Sequence, residues 1–120
     1  MNHGHLSHLQ YLQLLFTGVV KSKNYPNNYP DSYQRTQTIS GGNGMVLVLS
    51  FTDFNLEGGN ADHLTIRDGD GTVLMARRGG SGLPPNIISR TNVAYLDFVT
   101  DSSVTFSGWS VSWFAVTPGV

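Results

Sequence analysis

Apolar and polar residues alternate along most of this chain. In residues 44–54 the odd-numbered positions from 45 to 51 are all apolar, and the even-numbered positions are apolar in the first half. A period of two is the signature of an extended strand, and apolar residues on both faces predict a strand that is covered on both sides. The apolar odd-numbered residues are Met45, Leu47, Leu49 and Phe51.

Further strands are predicted by the same alternation. Residues 62–68, 92–100 and 108–116 each place apolar side chains on one face, and residues 33–39 alternate more weakly. The run DGDG at 68–71 is a hairpin signal that joins residues 62–68 to a strand at 72–76. Because Leu64 and Ile66 share the inward face of their strand, His63 is predicted to be exposed.

Clusters of glycine, proline, asparagine and aspartate separate these strands. Short strands at such intervals, joined by turn-forming residues, predict an all-β fold of the sandwich type in a single domain. Residues 9–16 are compatible with one turn of helix or with an edge strand, and the edge strand is favoured because these residues lead directly into residues 17–22.

Composition narrows the classes of function. The chain has 120 residues, 12% of them charged, and a net charge of −1, which argues against a nucleic-acid binder. No apolar run approaches the length of a membrane-spanning helix. There is no cysteine, so disulfides, cysteine zinc sites and thiol nucleophiles are excluded. The first 16 residues do not have the pattern of a signal peptide, and no serine-hydrolase motif occurs.

The order of short motifs resembles the CUB domain family over about residues 17–115. Each motif is weak alone, but their succession is specific. The resemblance implies an extracellular, antiparallel β-sandwich of the jelly-roll type, with residues 1–16 as an N-terminal extension, 17–116 as the domain and 117–120 as a tail. The motifs are GVVKSKNYPNNYP (18–30), RTQTI (35–39), FTDFNLE (51–57), GNADHLTIRDG (59–69), GGSGLPPNIISRTN (79–92) and LDFVTDSSVTFSGWSVSW (96–113).

The cysteines of that family are missing from this chain. The resemblance implies cysteines at Arg35, Gly59 and Gly79 and one near the N-terminus, and it implies that positions 59 and 79 form a pair. A bridge closing a loop of that length contributes roughly 3 kcal/mol in the chain-entropy account of disulfides. The sandwich is therefore expected to be stable without a disulfide. An extracellular location is predicted only from the resemblance to a secreted module, since the chain has no cysteine and its first residues do not resemble a signal peptide.

A calcium site is the main functional implication of the resemblance. It places carboxylate ligands at Glu57, Asp62 and Asp101, a main-chain carbonyl ligand at Ser103 and a supporting hydroxyl at Tyr29. The chemistry suits calcium, which prefers six to eight oxygen ligands, and carboxylates from separate loops repel one another unless a cation lies between them. The alternative is that these acids hydrogen-bond to local backbone amides, as loop acids often do.

The resemblance further implies a binding module and not an enzyme. Glu57 and Asp101, held by calcium, are expected to capture a lysine or arginine of a protein partner. Tyr25 and Tyr29 lie in an aromatic loop suited to protein or glycan recognition. Two alternatives stay open at this point. One is a calcium-independent module that binds carbohydrates or lipid headgroups, and the other is an accessory domain of a larger astacin-type metalloprotease or serine protease.

Overall fold

The computed structural model describes residues 16–119, which form eight β-strands and no helix. Residues 9–15, for which an edge strand is predicted, lie outside the described residues, as does most of the N-terminal extension. The strands are β1 (Thr17–Lys21), β2 (Gln34–Ser40), β3 (Val46–Asn55), β4 (His63–Asp68), β5 (Val73–Arg78), β6 (Ile87–Ile88), β7 (Val93–Val99) and β8 (Gly108–Val116).

Two four-stranded sheets face each other. Sheet 1 has the order β1-β8-β3-β6 and sheet 2 the order β2-β7-β4-β5, and every pair of neighbours is antiparallel. Only β4 and β5, which the DGDG turn joins, are consecutive in the chain and adjacent in one sheet. All other connections cross between sheets, which is the jelly-roll arrangement. The predicted antiparallel sandwich of the jelly-roll type is confirmed.

The core lies between the two inward faces that the alternation predicts. Leu47, Leu49, Leu96 and Ala94 have no exposed surface, and Phe98 is 2% exposed. The Phe98 ring meets three other aromatic rings edge to face, an arrangement that adds to the energy of burial. Those rings are Tyr29 at 5.1 Å, Trp109 at 5.9 Å and Tyr33 at 6.3 Å between centroids.

One bulge interrupts the alternation in β3. Phe51 pairs with Val111 and Asp53 with Ser110, so Thr52 is extra in the ladder. The bulge turns both Phe51 and Phe54 inward, with ring centroids 5.5 Å apart, whereas unbroken alternation would bury Asp53. The outward-facing side of the strand is only half-buried, so the expectation that both of its faces are covered holds for the inner face alone.

The strand order brings three connections to one end of the sandwich. In the β4–β7 pair His63 lies opposite Val99, so the residues before β4 and after β7 meet at the same end. The β3–β4 connection, residues 56–62, crosses between the sheets at this end. The connection from β1 to β2 packs against the residues that follow β7, since the Tyr29 amide donates to the Phe106 carbonyl and the Ser32 amide to the Asp101 carbonyl.

Candidate metal site

Three carboxylates meet at this end of the sandwich. Glu57 and Asp62 lie in the β3–β4 connection, and Asp101 follows β7. Each offers one oxygen, and these oxygens all lie within 4.8 Å of one another. The resemblance predicts these three acids as ligands, and the fold brings them together.

Asp62 is the buried anchor of the cluster, with no exposed surface. Its Oδ2 accepts a hydrogen bond from the Tyr29 hydroxyl at 2.6 Å, and its Oδ1 accepts one from the Asp101 amide at 2.8 Å. The Tyr29 hydroxyl in turn accepts a hydrogen bond from the Glu57 amide at 3.1 Å. Tyr29, which is 1% exposed, therefore ties two of the acid-bearing positions together. Burial and the hydrogen bond to Asp62 raise the pKa of this hydroxyl, so it remains a proton donor.

Glu57 lacks the partners that Asp62 has. Its Oε1 is buried and receives no hydrogen bond. Loss of solvation raises the pKa of Glu57, and the charges of Asp101 and Asp62 raise it further. In the described part of the chain the ion pairs are Arg67–Asp97 and Arg90–Asp68, so no basic side chain neutralises the cluster. A buried oxygen without a donor among like charges is the environment that a hard cation satisfies, so the donor set fits calcium.

Asp101 and Ser103 are joined locally. The Ser103 amide donates to Asp101 Oδ1 at 3.2 Å, which is the local backbone bond that loop acids often make. The ligand role of the Ser103 carbonyl stays a prediction. The alternative that these acids only bond to local backbone amides therefore explains one contact of Asp101. It does not explain why the buried Oε1 of Glu57 has no hydrogen-bond partner.

Glycines lie against the β3–β4 connection at two positions where the resemblance implies cysteines. Gly59 has φ +70°, a left-handed conformation that favours glycine. A Cβ on Gly79 would lie 2.6 Å from the Asp62 carbonyl oxygen and 3.0 Å from that of Glu57. The Gly80 amide also donates to the Glu57 carbonyl at 3.2 Å. Close backbone approach thus holds the loop where the resemblance implies a disulfide.

Two other sequence predictions have different outcomes. The Tyr25 hydroxyl donates to Asp53 Oδ2 at 2.8 Å, so it is engaged outside the acid cluster, and its ligand-binding role stays a prediction. The predicted exposure of His63 is wrong, because the residue is only 8% exposed and its Nε2 lies 3.0 Å from a guanidinium nitrogen of Arg77 on the neighbouring strand. Burial and the Arg77 charge lower the pKa of His63.

Asp68, at the opposite end of β4 from the acid cluster, is structural. Its carboxylate is fully buried and accepts hydrogen bonds from the Thr91 hydroxyl and from the amides of Gly69, Arg90 and Thr91. These bonds fasten the β4–β5 turn to the connection before β7. The interpretation of DGDG as a hairpin turn is confirmed by the Gly71 amide, which donates to the Asp68 carbonyl.

One residue near the site was missed at the level of sequence. Asp31 directly follows the second tyrosine-proline step, it is exposed, and its negative charge contributes to the raised pKa of Glu57 after burial, Asp101 and Asp62. The sequence offered one indication, because Asp31 follows Tyr29, the predicted supporting residue of the site, by two positions.

Comparison with known proteins identifies the family. The sequence profile of the CUB domain matches residues 14–113. The chain is 38% identical over 108 residues to cubilin of Rattus norvegicus, and 37% identical over 98 residues to the dorsal-ventral patterning protein tolloid of Drosophila melanogaster. These matches cover 85% and 78% of this chain but only 3% and 9% of the relatives. The chain therefore spans a small part of the length of these relatives.

Solved structures agree with the sequence match. The MASP-1 CUB2 domain bound to Ca²⁺ superposes with a TM-score of 0.75 at 29% identity, covering 82% of this chain and 91% of that one. The extracellular region of zebrafish Gpr126/Adgrg6 gives a TM-score of 0.77 at 28% identity, covering 85% of this chain and 14% of that one. Within residues 16–119 no helix is long and apolar enough to cross a membrane. CUB domains are non-catalytic binding modules, and the relatives that this chain matches include cubilin and an astacin-like metalloendopeptidase of Gallus gallus. This chain belongs to the CUB domain family.

Proposed function

We propose that this chain is a calcium-dependent protein-binding module of an extracellular protein. In this proposal Glu57, Asp62 and Asp101 hold one calcium ion, with the Ser103 carbonyl as a further ligand and the Tyr29 hydroxyl as support. The observation that carries the proposal is the buried Oε1 of Glu57, which has no hydrogen-bond partner and lies in a cluster without a basic side chain in the described part of the chain. The likeness to a CUB domain bound to Ca²⁺ supports it.

Each residue has a separate task in this proposal. Asp62 is oriented by Tyr29 and by the Asp101 amide, so it is preorganised and needs no rearrangement to bind an ion. Glu57 and Asp101 are less buried than Asp62, and they present carboxylate oxygens to a lysine or arginine of the partner. Bound calcium supplies positive charge that offsets the repulsion between the acids and keeps them in place. A charge-assisted hydrogen bond to a partner is stronger when its acceptor is already ordered.

The test is calcium titration of chelator-stripped protein by calorimetry, with melting curves at both ends. We expect heat of binding that fits one calcium ion per protein. A free calcium concentration of 100 times the Kd should stabilise the folded state by about 2.7 kcal/mol. This stabilisation should raise the Tm by about 10 °C for a domain of this size. Glu57→Gln should abolish this shift. Without calcium the same variant should be at least as stable as the wild type, because it removes one of three repelling charges.

The matched control is Asp70→Asn, which removes one negative charge at the other end of β4. Asp70 is exposed and its carboxylate accepts a bond from the Thr72 amide. The calcium-induced shift should survive in this variant. A full calcium-induced shift in Glu57→Gln would show that the acids are loop residues and would overturn the proposal.

The alternative of calcium-independent carbohydrate or lipid-headgroup binding is separated from this proposal by chelation. The tyrosine loop offers it little, because the Tyr29 side chain is buried and the Tyr25 hydroxyl is bound to Asp53. Glycan-array binding that persists in chelator would favour it. A place beside a protease domain is compatible with the proposed module, since one relative is an astacin-like metalloendopeptidase. The module would then select substrates for a catalytic domain elsewhere in a longer protein.

A further inference from the structure

The segment that carries Asp31 is clamped against the acid cluster. The Ser32 amide donates to the Asp101 carbonyl at 2.6 Å, and the Thr100 amide donates to the Tyr33 carbonyl at 2.8 Å. The Thr100 hydroxyl donates to the Pro30 carbonyl at 2.8 Å and accepts from the Tyr33 amide at 2.9 Å. These bonds on both sides of Asp31 fix its backbone directly beside that of Asp101.

The Asp31 side chain itself has no structural task in the described part of the chain. It is exposed, and no described group donates a hydrogen bond to it or forms an ion pair with it. Its place beside the cluster is set by the backbone, because the amide of the next residue, Ser32, donates to the carbonyl of Asp101. An unpaired carboxylate on a backbone that is already fixed is available to a partner without further ordering of the loop.

Counting charges shows what such a partner requires. Glu57, Asp62 and Asp101 carry three negative charges, and a calcium ion balances two of them. One negative charge is left in the cluster, and Asp31 provides a second one next to it. A single basic side chain therefore leaves one carboxylate without a counter-charge at this surface.

We propose that Asp31 is a partner-contacting residue outside the calcium site, and that the partner is a protein segment with two neighbouring basic side chains. One basic side chain meets Glu57 and Asp101, and the other meets Asp31. This inference rests on the proposed function, since it uses the same acid cluster. In an extended segment the side chains at positions i and i+2 point to the same side about 6.6 Å apart, so Lys-x-Lys is the simplest pattern that presents two basic groups to one surface.

The experiment compares two peptides on the calcium-loaded protein. The monobasic peptide is acetyl-Gly-Lys-Gly-Gly-Gly-amide, and the dibasic peptide is acetyl-Gly-Lys-Gly-Lys-Gly-amide. Binding is followed by the amide NMR shifts of Ser32 and Ser103. Exposed ion pairs are worth up to about 1 kcal/mol, so we expect the dibasic peptide to bind the wild type about three- to five-fold more tightly.

Two variants decide the outcome. Asp31→Asn should remove the preference for the dibasic peptide and should lower monobasic binding and calcium affinity only slightly, because it removes one exposed, screened charge, whereas Asp70→Asn should keep the preference. A preference that survives in Asp31→Asn, or calcium-loaded wild type that does not distinguish the peptides, overturns the role of Asp31 alone. Absence of calcium binding to the wild type overturns the proposed function and this inference with it.

Discussion

The hydroxyl of Tyr29 offers the sharpest test of how the acid cluster is held. Replacement by phenylalanine keeps the ring and its edge-to-face contact with Phe98 at 5.1 Å. It removes the bond to Asp62, which is a 2.6 Å hydrogen bond to a fully buried carboxylate. It also leaves the Glu57 amide without its acceptor. The variant thus changes polar contacts and leaves packing nearly intact.

The size of the effect follows from these two bonds. A hydrogen bond to a charged group contributes about 1.5–3 kcal/mol, and an amide left without a partner costs about 1–3 kcal/mol when buried. The Glu57 amide is only partly buried, so we expect Tyr29→Phe to lower the free energy of unfolding by roughly 3 kcal/mol. At about 4 °C per kcal/mol for a domain of this size, the Tm falls by about 12 °C.

Urea unfolding in chelator, followed by tryptophan fluorescence, measures this change, because Trp109 is fully buried in the native state. Tyr25→Phe is the matched control. It also deletes a tyrosine hydroxyl bonded to a carboxylate, Asp53, but outside the acid cluster, and we expect a small effect. Calcium affinity should fall in Tyr29→Phe and not in Tyr25→Phe. If Tyr29→Phe unfolds within about 0.5 kcal/mol of the wild type, the scale of an ordinary surface substitution, the hydroxyl does not hold the cluster.

Two further predictions concern residues that shape the same loops. Gly79→Ala should cost roughly 1–3 kcal/mol in urea unfolding, because its Cβ would overlap the Asp62 carbonyl, while Gly58→Ala, whose Cβ would meet nothing within 4 Å, should be nearly neutral; equal effects would contradict the proposed close packing. For Asp68, burial raises the pKa but its hydrogen bonds outweigh this and hold the pKa below its ordinary value. Its contribution to stability is therefore present above about pH 4 and lost as the pH falls through the lower folded value. Unfolding measured from pH 5 to pH 2 should show a flatter pH dependence in Asp68→Asn, and an unchanged slope would refute this account.

The strands and their buried faces could be predicted from the sequence. The alternation in residues 92–100 singled out the inward-facing side chains, and Ala94, Leu96 and Phe98 are buried as expected. Local chemistry sufficed here, because successive side chains of a strand point to opposite faces. The DGDG turn was predictable for the same reason, since it depends on the preferences of adjacent residues. The acids were identifiable only through the ordered motifs of a family, because spacing alone does not show which loops meet.

The position of each loop relative to the others was decided by the tertiary structure. The pairing of β4 with β7 brings Asp62 beside Asp101, although 39 residues separate them in the chain. The bulge at Thr52 exists only relative to β8, and the burial of His63 depends on Arg77 from β5. Asp31 gains its place beside the acids from backbone bonds to the residues after β7. A sequence pattern shows which face of a strand is apolar. Strand order and register determine which charged side chains lie close together. The electrostatics of this site depend on those distances, so only the tertiary structure decided them.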